Sequence, residues 1–240
     1  MRDVPDLRVY PGPRELGQAV ADALVRTLAD LLRAVPDRPV DLALAGGSVN
    51  SLVLERLRGH EASLDWSRVR VWWVDERFVP AGDPDRNDLA AREALLDRLP
   101  GVQLCPMPAD DGTRSLEQAT ADFAAEWGEG MGTRSPDLAL VGTGEDGHFA
   151  SLFPGHAQVD ATGVVVAEHH SPKPPPLRVS LSRPVVAGST HLWLVAAGGS
   201  KARPIAQALE GADVHEVPVA ALARRGAVWW LDGAAAGQLP

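Results

Sequence analysis

Asp146 and His148 stand two residues apart in Gly142-Thr143-Gly144-Glu145-Asp146-Gly147-His148-Phe149, directly after the apolar run Asp137-Leu138-Ala139-Leu140-Val141. An imidazole with a carboxylate close by in sequence can act as a general base with its orienting partner, taking a proton from water or from a bound substrate. Gly142, Gly144 and Gly147 let the backbone adopt positive φ and approach a ligand closely. The pattern predicts that His148 enters a short helix over Phe149 to Phe153, stopped by Pro154-Gly155. The partial positive charge of a helix N-terminus disfavours imidazolium and would keep the ring neutral. Taken alone, a His-Gly pair more often makes a tight turn with a structural histidine. Two further loops change that balance.

In the first, Leu42-Ala43-Leu44-Ala45 runs into Gly46-Gly47-Ser48 and then into the spaced leucines Leu52, Leu54 and Leu57. Strand, small-residue turn and helix make an anion cradle of backbone N–H groups and a hydroxyl, although a strand-to-helix turn needs small residues in any case. No Lys follows the glycines as in a nucleoside-triphosphate loop. In the second, the strand Val69-Arg70-Val71-Trp72-Trp73-Val74 ends in Asp75-Glu76-Arg77. Residues just past the carboxyl ends of parallel strands line the ligand crevice. Arg77 suits a bidentate grip on phosphate or carboxylate, and the acids can bind hydroxyls or hold the arginine; a solvated loop ion pair is the plain alternative.

Other signals carry less. Gly142 to Gly147 also satisfies the dinucleotide pattern G-x-G-x-x-G, with Glu168 near the offset of a ribose-binding acid. A dinucleotide fold needs a full helix after the glycines, and Asp146 would sit where the pyrophosphate must lie. His169-His170 lack a third ligand at metal spacing. Ser151 lacks the strained elbow of a G-x-S-x-G nucleophile, which speaks against an acyl-enzyme.

The elements that must hold these loops read as alternating strands and helices, which predicts an α/β fold with a doubly wound, mostly parallel sheet flanked by helices, Rossmann-like in type. Strands are expected at Leu7 to Tyr10, Val40 to Ala45, Val69 to Val74, Gln103-Leu104, Leu138 to Val141, Gly163 to Ala167, Arg178 to Leu181, His191 to Ala196 and Ala227 to Leu231. Leu16, Val20, Leu24, Leu28 and Leu31 repeat at helical spacing, and helices also fit Asn87 to Arg98, Ser115 to Trp127, Lys201 to Leu209 and Val219 to Arg224. No repeat or long linker divides the 240 residues, so one domain over 1–240 is expected. A formal charge of −9 speaks against a nucleic-acid binder. The single Cys105, the absence of an apolar leader core and the absence of any long uncharged apolar stretch predict a cytoplasmic protein free of membrane association.

Ala45-Gly46-Gly47-Ser48, Asp75-Glu76-Arg77-Phe78-Val79-Pro80, Gly144 to Gly155 and Ser171-Pro172-Lys173-Pro174-Pro175, in this order, resemble the 6-phosphogluconolactonase family of the sugar-phosphate isomerase/deaminase superfamily. The likeness runs through Ala227-Val228-Trp229-Trp230-Leu231-Asp232. Glucosamine-6-phosphate deaminases share the Asp-Gly-His element, but they resemble Asp-Glu-Tyr where this chain has Asp-Glu-Arg, and follow the histidine with a different sequence. The family usually reads Gly-Gly-Ser-Thr-Pro, where this chain has Val49 and Asn50 in the last two places, and Arg86-Asn87 replaces its Ser-Asn. Arg86 faces either substrate or solvent on this reading.

The resemblance implies hydrolysis of 6-phospho-D-glucono-1,5-lactone to 6-phospho-D-gluconate, the second step of the oxidative pentose phosphate pathway, with no cofactor and no metal. The chemistry suits the residues. A δ-lactone is an activated ester, so neutral His148 can deprotonate the attacking water while Asp146 orients it and glycine-loop N–H groups stabilise the oxyanion. Gly46, Gly47, Ser48, Asp75, Arg77, Gly144, Arg178 and Lys201 are then the substrate-binding candidates, and an acidic chain must gather such cations locally. The partner expected is a small sugar phosphate, with the protein a monomer or small homo-oligomer. A deaminase or isomerase using the same histidine, and a non-catalytic sugar-phosphate sensor, remain as alternatives.

Overall fold

The computed structural model describes residues 5–239, the side chain of Ser48 excepted. In chain order the elements are β1 (Asp6–Tyr10), α1 (Pro13–Ala34), β2 (Val40–Leu44), α2 (Ser48–Leu52), β3 (Val69–Trp73), β4 (Asp75–Arg77), α3 (Asn87–Ala94) and β5 (Gln103–Cys105). They continue with α4 (Leu116–Met131), β6 (Leu138–Val141), β7 (Val165–Glu168), β8 (Arg178–Leu181), α5 (Arg183–Ala187), β9 (His191–Ala196), α6 (Ala202–Glu210), α7 (Ala220–Ala223) and β10 (Val228–Asp232).

Seven strands form one parallel sheet in the order β1-β10-β9-β6-β2-β3-β5. The chain runs outward from β2 through β3 to β5 on one side, and from β6 through β9 to β10 on the other. The direction of winding therefore reverses between β2 and β6, the place where an open α/β sheet leaves a crevice at its carboxyl edge. β2 and β6 are buried along their whole length, as continuous apolar strands between two helical layers should be. Leu16, Val20, Leu24 and Leu28 are at most 1% exposed, so the helical stripe of α1 faces the sheet as its spacing predicts. The strand tryptophans pack inward as well, with Trp72 against Trp127 at 4.7 Å and Trp193 against Trp230 at 5.1 Å between ring centroids.

Three expected features are corrected. First, the strands near 163–167 and 178–181 do not join the parallel sheet; β4, β8 and β7 form a separate antiparallel sheet in that order. Val74 is the pivot: its N–H donates to Leu44 O of the large sheet at 2.9 Å, and its carbonyl accepts from Leu181 N of the small sheet at 2.8 Å. Asp75-Glu76-Arg77 are consequently a strand rather than a loop. Second, no helix forms over Phe149 to Phe153. Gly147 (φ 83°) and Ala150 (φ 49°) are left-handed, and a bridge joins Phe149 to Leu152, which buries Phe149, Leu152 and Phe153 together from a tight turn. Third, Lys201 ends a 3-10 turn, Gly199–Lys201, and α6 begins after it.

Helix ends also move. The pattern from Asn87 breaks at Leu95 and resumes as a 3-10 turn over Leu96–Arg98. α4 runs on to Met131 from an N-cap at Ser115, whose Oγ accepts from Gln118 N while Gln118 Oε1 accepts from Ser115 N.

Candidate active site

Four adjacent strands, β9, β6, β2 and β3, release their carboxyl ends side by side, and the small sheet faces them. The result is a cavity of about 440 Å³ lined by Gly46, Gly47, Asp75, Arg77, Gly144, His148, Arg178 and Lys201, with Asn87, Phe153 and Lys173 among its other walls. Loops separated by more than a hundred residues are thus brought to one place by parallel strand order. Ser48 begins α2 beside this cavity, and its side chain lies outside the described residues.

His148 lines the cavity, and Asp146 lies behind it with Oδ1 2.5 Å from His148 Nδ1. Half-burial would raise the Asp146 pKa, but the hydrogen bond and charge of His148 and the backbone N–H groups outweigh it and hold the carboxyl at about 2. With Asp146 ionised, a neutral His148 carries its proton on Nδ1 and keeps the lone pair on Nε2, the nitrogen available to take a proton. The helix N-terminus expected to disfavour imidazolium is absent here, so no helix dipole acts on the ring, and the tautomer follows from the carboxylate. The pair also explains Gly144. A Cβ on that residue would lie 2.1 Å from His148 Nδ1 and 2.3 Å from Asp146 Oδ1, so only glycine lets the strand end pass beneath the two side chains.

The loop amides do less than expected. Gly144 N donates to His148 O at 2.9 Å, Gly147 N to Gly144 O at 3.2 Å, and His148 N to Asp146 Oδ1 at 3.3 Å. These three donors shape the turn and are not free for an oxyanion. Four cations instead line the cavity: Arg77, Lys173, Arg178 and Lys201. Burial lowers the Lys201 pKa, and the Lys173 charge lowers it further; both effects favour binding an anion that restores the balance.

Asp75 is buried, accepts from Ser151 Oγ at 2.7 Å through Oδ2, and lends its backbone carbonyl to Asn87 Nδ2 at 3.0 Å. Among the described residues it holds Ser151 rather than an arginine. Ser151, fully buried, is a strut between Asp75 and the small sheet, where its N–H meets Ser180 Oγ at 3.2 Å. Arg178 spends two nitrogens on the proline segment, donating to Pro175 O at 2.8 Å and to Lys173 O at 2.9 Å, so it shapes one wall of the cavity as well as charging it. Glu76 is buried beneath the site and accepts from the N–H groups of Arg77, Asn87 and Asp88 at 2.7–2.8 Å, which anchors the start of α3.

Arg86 faces neither substrate nor solvent. It is 2% exposed and bonds Asp88 Oδ1 at 2.7 Å and Met107 O at 2.7 Å. Glu168, suggested by spacing as a ribose ligand, is buried against His156 Nδ1 and His170 N at 2.8 and 2.6 Å. His169 pairs with Glu117 at 2.6 Å. Among the described residues no group of three or more His, Cys, Asp or Glu side chains is placed to hold a metal ion. No helix among them is long and apolar enough to cross a membrane.

Spacing alone did not single out Lys173, Asn87 or Phe153. The local signal for Lys173 is a cation within a proline run; Asn87 has none, and only the fold shows that a Cβ at Gly46 would fall 1.9 Å from Asn87 Oδ1.

Fold and site together define an α/β protein with a cation-lined cavity beside a histidine–carboxylate pair, at the switch point of a parallel sheet. The chain belongs to the glucosamine-6-phosphate isomerases/6-phosphogluconolactonase family, whose model matches residues 11–230. It is 39% identical over 254 residues to the 6-phosphogluconolactonase of Streptomyces coelicolor, spanning 100% of this chain and 97% of that one. It is 39% identical over 209 residues to the 6-phosphogluconolactonase of Mycobacterium tuberculosis, spanning 83% of this chain and 85% of that one. Its fold superposes on 6-phosphogluconolactonase from Trypanosoma cruzi with a TM-score of 0.86 at 25% identity, over 100% of this chain and 98% of that one.

Proposed function

We propose that the protein hydrolyses 6-phospho-D-glucono-1,5-lactone to 6-phospho-D-gluconate, with His148 as general base. The observation that carries this reading is the Asp146–His148 pair set on the wall of a cavity with four cations around it. The substrate has an anion at one end and an activated ester at the other, and the cavity offers a complement to each.

The phosphate is held by Arg77, Arg178, Lys201 and the Gly46-Gly47 turn, which fixes the ring in a single orientation. His148 Nε2 takes a proton from a water that attacks C1, and Asp146 stabilises the imidazolium that forms. The negative charge that develops on the carbonyl oxygen at C1 is met by the positive potential of the cavity, since the amides of Gly144 and Gly147 are already engaged. Collapse of the tetrahedral intermediate breaks the C1–O5 bond, and the His148 proton passes to the leaving O5. Ser151 takes no covalent part, because its hydroxyl is buried on Asp75.

The test is hydrolysis of freshly generated 6-phosphoglucono-δ-lactone, followed as acid release against the spontaneous rate. Acceleration of several orders of magnitude supports the reading, and a rate equal to the uncatalysed one removes it. Release of ammonia from glucosamine 6-phosphate would place the chain with the deaminases instead.

A further inference from the structure

Beyond Arg77 the main cavity continues into a second cleft of about 500 Å³, and the two share Gly47, Arg77 and Asn87 as a common wall. Asn50 and Arg77 both line this cleft, and each carries a buried polar atom with no hydrogen-bond partner among the described residues: Oδ1 of Asn50 and Nε of Arg77. Asn50 is 7% exposed, so solvent does not meet that need freely. Buried polar groups are almost always paired, and two orphans on one small cleft call for a common explanation.

Their chemistry is complementary. Asn50 Nδ2 lies 3.3 Å from the backbone carbonyl of Asn87, which only an N–H can satisfy, so the amide orientation is fixed and Oδ1 is the acceptor left over. Arg77 Nε is a donor. Another Arg77 nitrogen, Nη1, is already engaged by the carbonyl of Asp85. Val49, the other residue that departs from the usual Gly-Gly-Ser-Thr-Pro, is fully buried in the core and contributes nothing polar.

We propose that Asn50 is a positioning residue for Arg77: Asn50 Oδ1 takes the Arg77 Nε–H through one bridging water in the cleft they share, and leaves Nη2 with its two protons for the substrate phosphate. This inference rests on the lactonase reading for the identity of the anion, but the pairing itself stands on the two unmet atoms and the cleft they share.

The experiment is a double-mutant cycle on the full chain: wild type, Asn50→Leu, Arg77→Lys and the double variant, each assayed with 6-phosphoglucono-δ-lactone and titrated calorimetrically with inorganic phosphate. Leucine keeps the branched shape and removes the acceptor together with the Nδ2 bond to Asn87 O, a loss common to both backgrounds that the cycle cancels, while lysine keeps the charge and removes the Nε donor. Asn50→Leu should raise KM about tenfold, the scale of one lost hydrogen bond to a charged group, with kcat within about twofold. In the Arg77→Lys background the same change should move KM less than about twofold. A structural role for Asn50 would instead give effects that multiply, and an unchanged KM in Asn50→Leu overturns the proposal as directly. Asn50→Ala repeats the cycle if the leucine variant does not fold. The phosphate titration separates the two claims: coupling seen in phosphate affinity without lactone turnover would sink the lactonase reading and keep the pairing, whereas turnover without coupling would do the reverse.

Discussion

Arg77 and Arg178 stand directly opposite each other in the β4–β8 pair, both lining the cavity. Like charges facing across an antiparallel pair repel, and here the guanidinium partners are backbone carbonyls rather than carboxylates. An anion between them relieves the repulsion. Phosphate or 6-phosphogluconate at saturating concentration should therefore raise the thermal midpoint, as any ligand bound only by the folded state does. Arg77→Ala should raise KM with little loss of stability. Arg178→Ala should raise KM and also cost about 1–3 kcal/mol in urea unfolding, because carbonyls of the proline segment lose their donor. Equal stability losses in the two variants would contradict this division of roles.

Gly144→Ala tests the fit under the catalytic pair. The added methyl would meet His148 Nδ1 and Asp146 Oδ1 at little more than 2 Å, so the side chains must move. We expect kcat to drop by about two orders of magnitude, the scale of a displaced general base, with phosphate affinity retained. An active Gly144→Ala enzyme would mean that the observed His148–Asp146 arrangement is not the reactive one.

Asp146→Asn should lower kcat about a hundredfold or more while leaving KM near its wild-type value, since the amide no longer fixes the proton on Nδ1. Its pH signature has a definite sign. The carboxyl is held at about 2 against an ordinary 3.8. A depressed folded-state pKa adds stability that is present above pH 3.8 and is lost as the pH falls toward 2. The stability gap between wild type and Asp146→Asn, measured by urea unfolding, should therefore narrow from pH 4 to pH 2. Any loss of activity between pH 4 and 7 belongs to other groups.

His215 braces the same segment from outside. Its ring reaches Asp160 at 2.9 Å and Asp213 at 2.7 Å, and its carbonyl accepts from Gly155 N at 2.8 Å. The hydrogen bonds to Asp160 and then Asp213 raise its pKa above 6.5. A raised folded-state pKa adds stability that is fully present below 6.5 and is lost as the pH rises through the raised value. The Tm difference between wild type and His215→Gln should be largest in mild acid and close in mild alkali. The ring is exposed to solvent, so the effect is small and should shrink with added salt.

The parts of this molecule that could be read from sequence are those whose signal is local. The spacing in α1, the apolar runs of β2 and β6, and the abrupt passage from β3 to Asp75-Glu76-Arg77 each report their burial or position directly. Two strands of the small sheet, β7 and β8, are also legible as strands, but nothing local signals that they pair apart from the large sheet with Asp75-Glu76-Arg77 as the third. Arg178 pairs with Arg77 across about a hundred residues, and a charged three-residue strand looks like a loop until its partner is known. The turn at Phe149 to Phe153 misleads for a related reason: four apolar residues in five suit either a helix or a tight turn, and Ser151, drawn to Asp75 and Ser180, decides between them. Lys173 and Asn87 join the site only because the chain folds back over it.

The most direct test of the central claim compares wild type with His148→Ala in hydrolysis of 6-phosphoglucono-δ-lactone, with 6-phosphogluconate binding measured calorimetrically on both proteins. The account predicts a kcat lower by at least about a hundredfold in His148→Ala while product affinity changes little, as removal of a general base requires. A variant that binds and hydrolyses like wild type would contradict it.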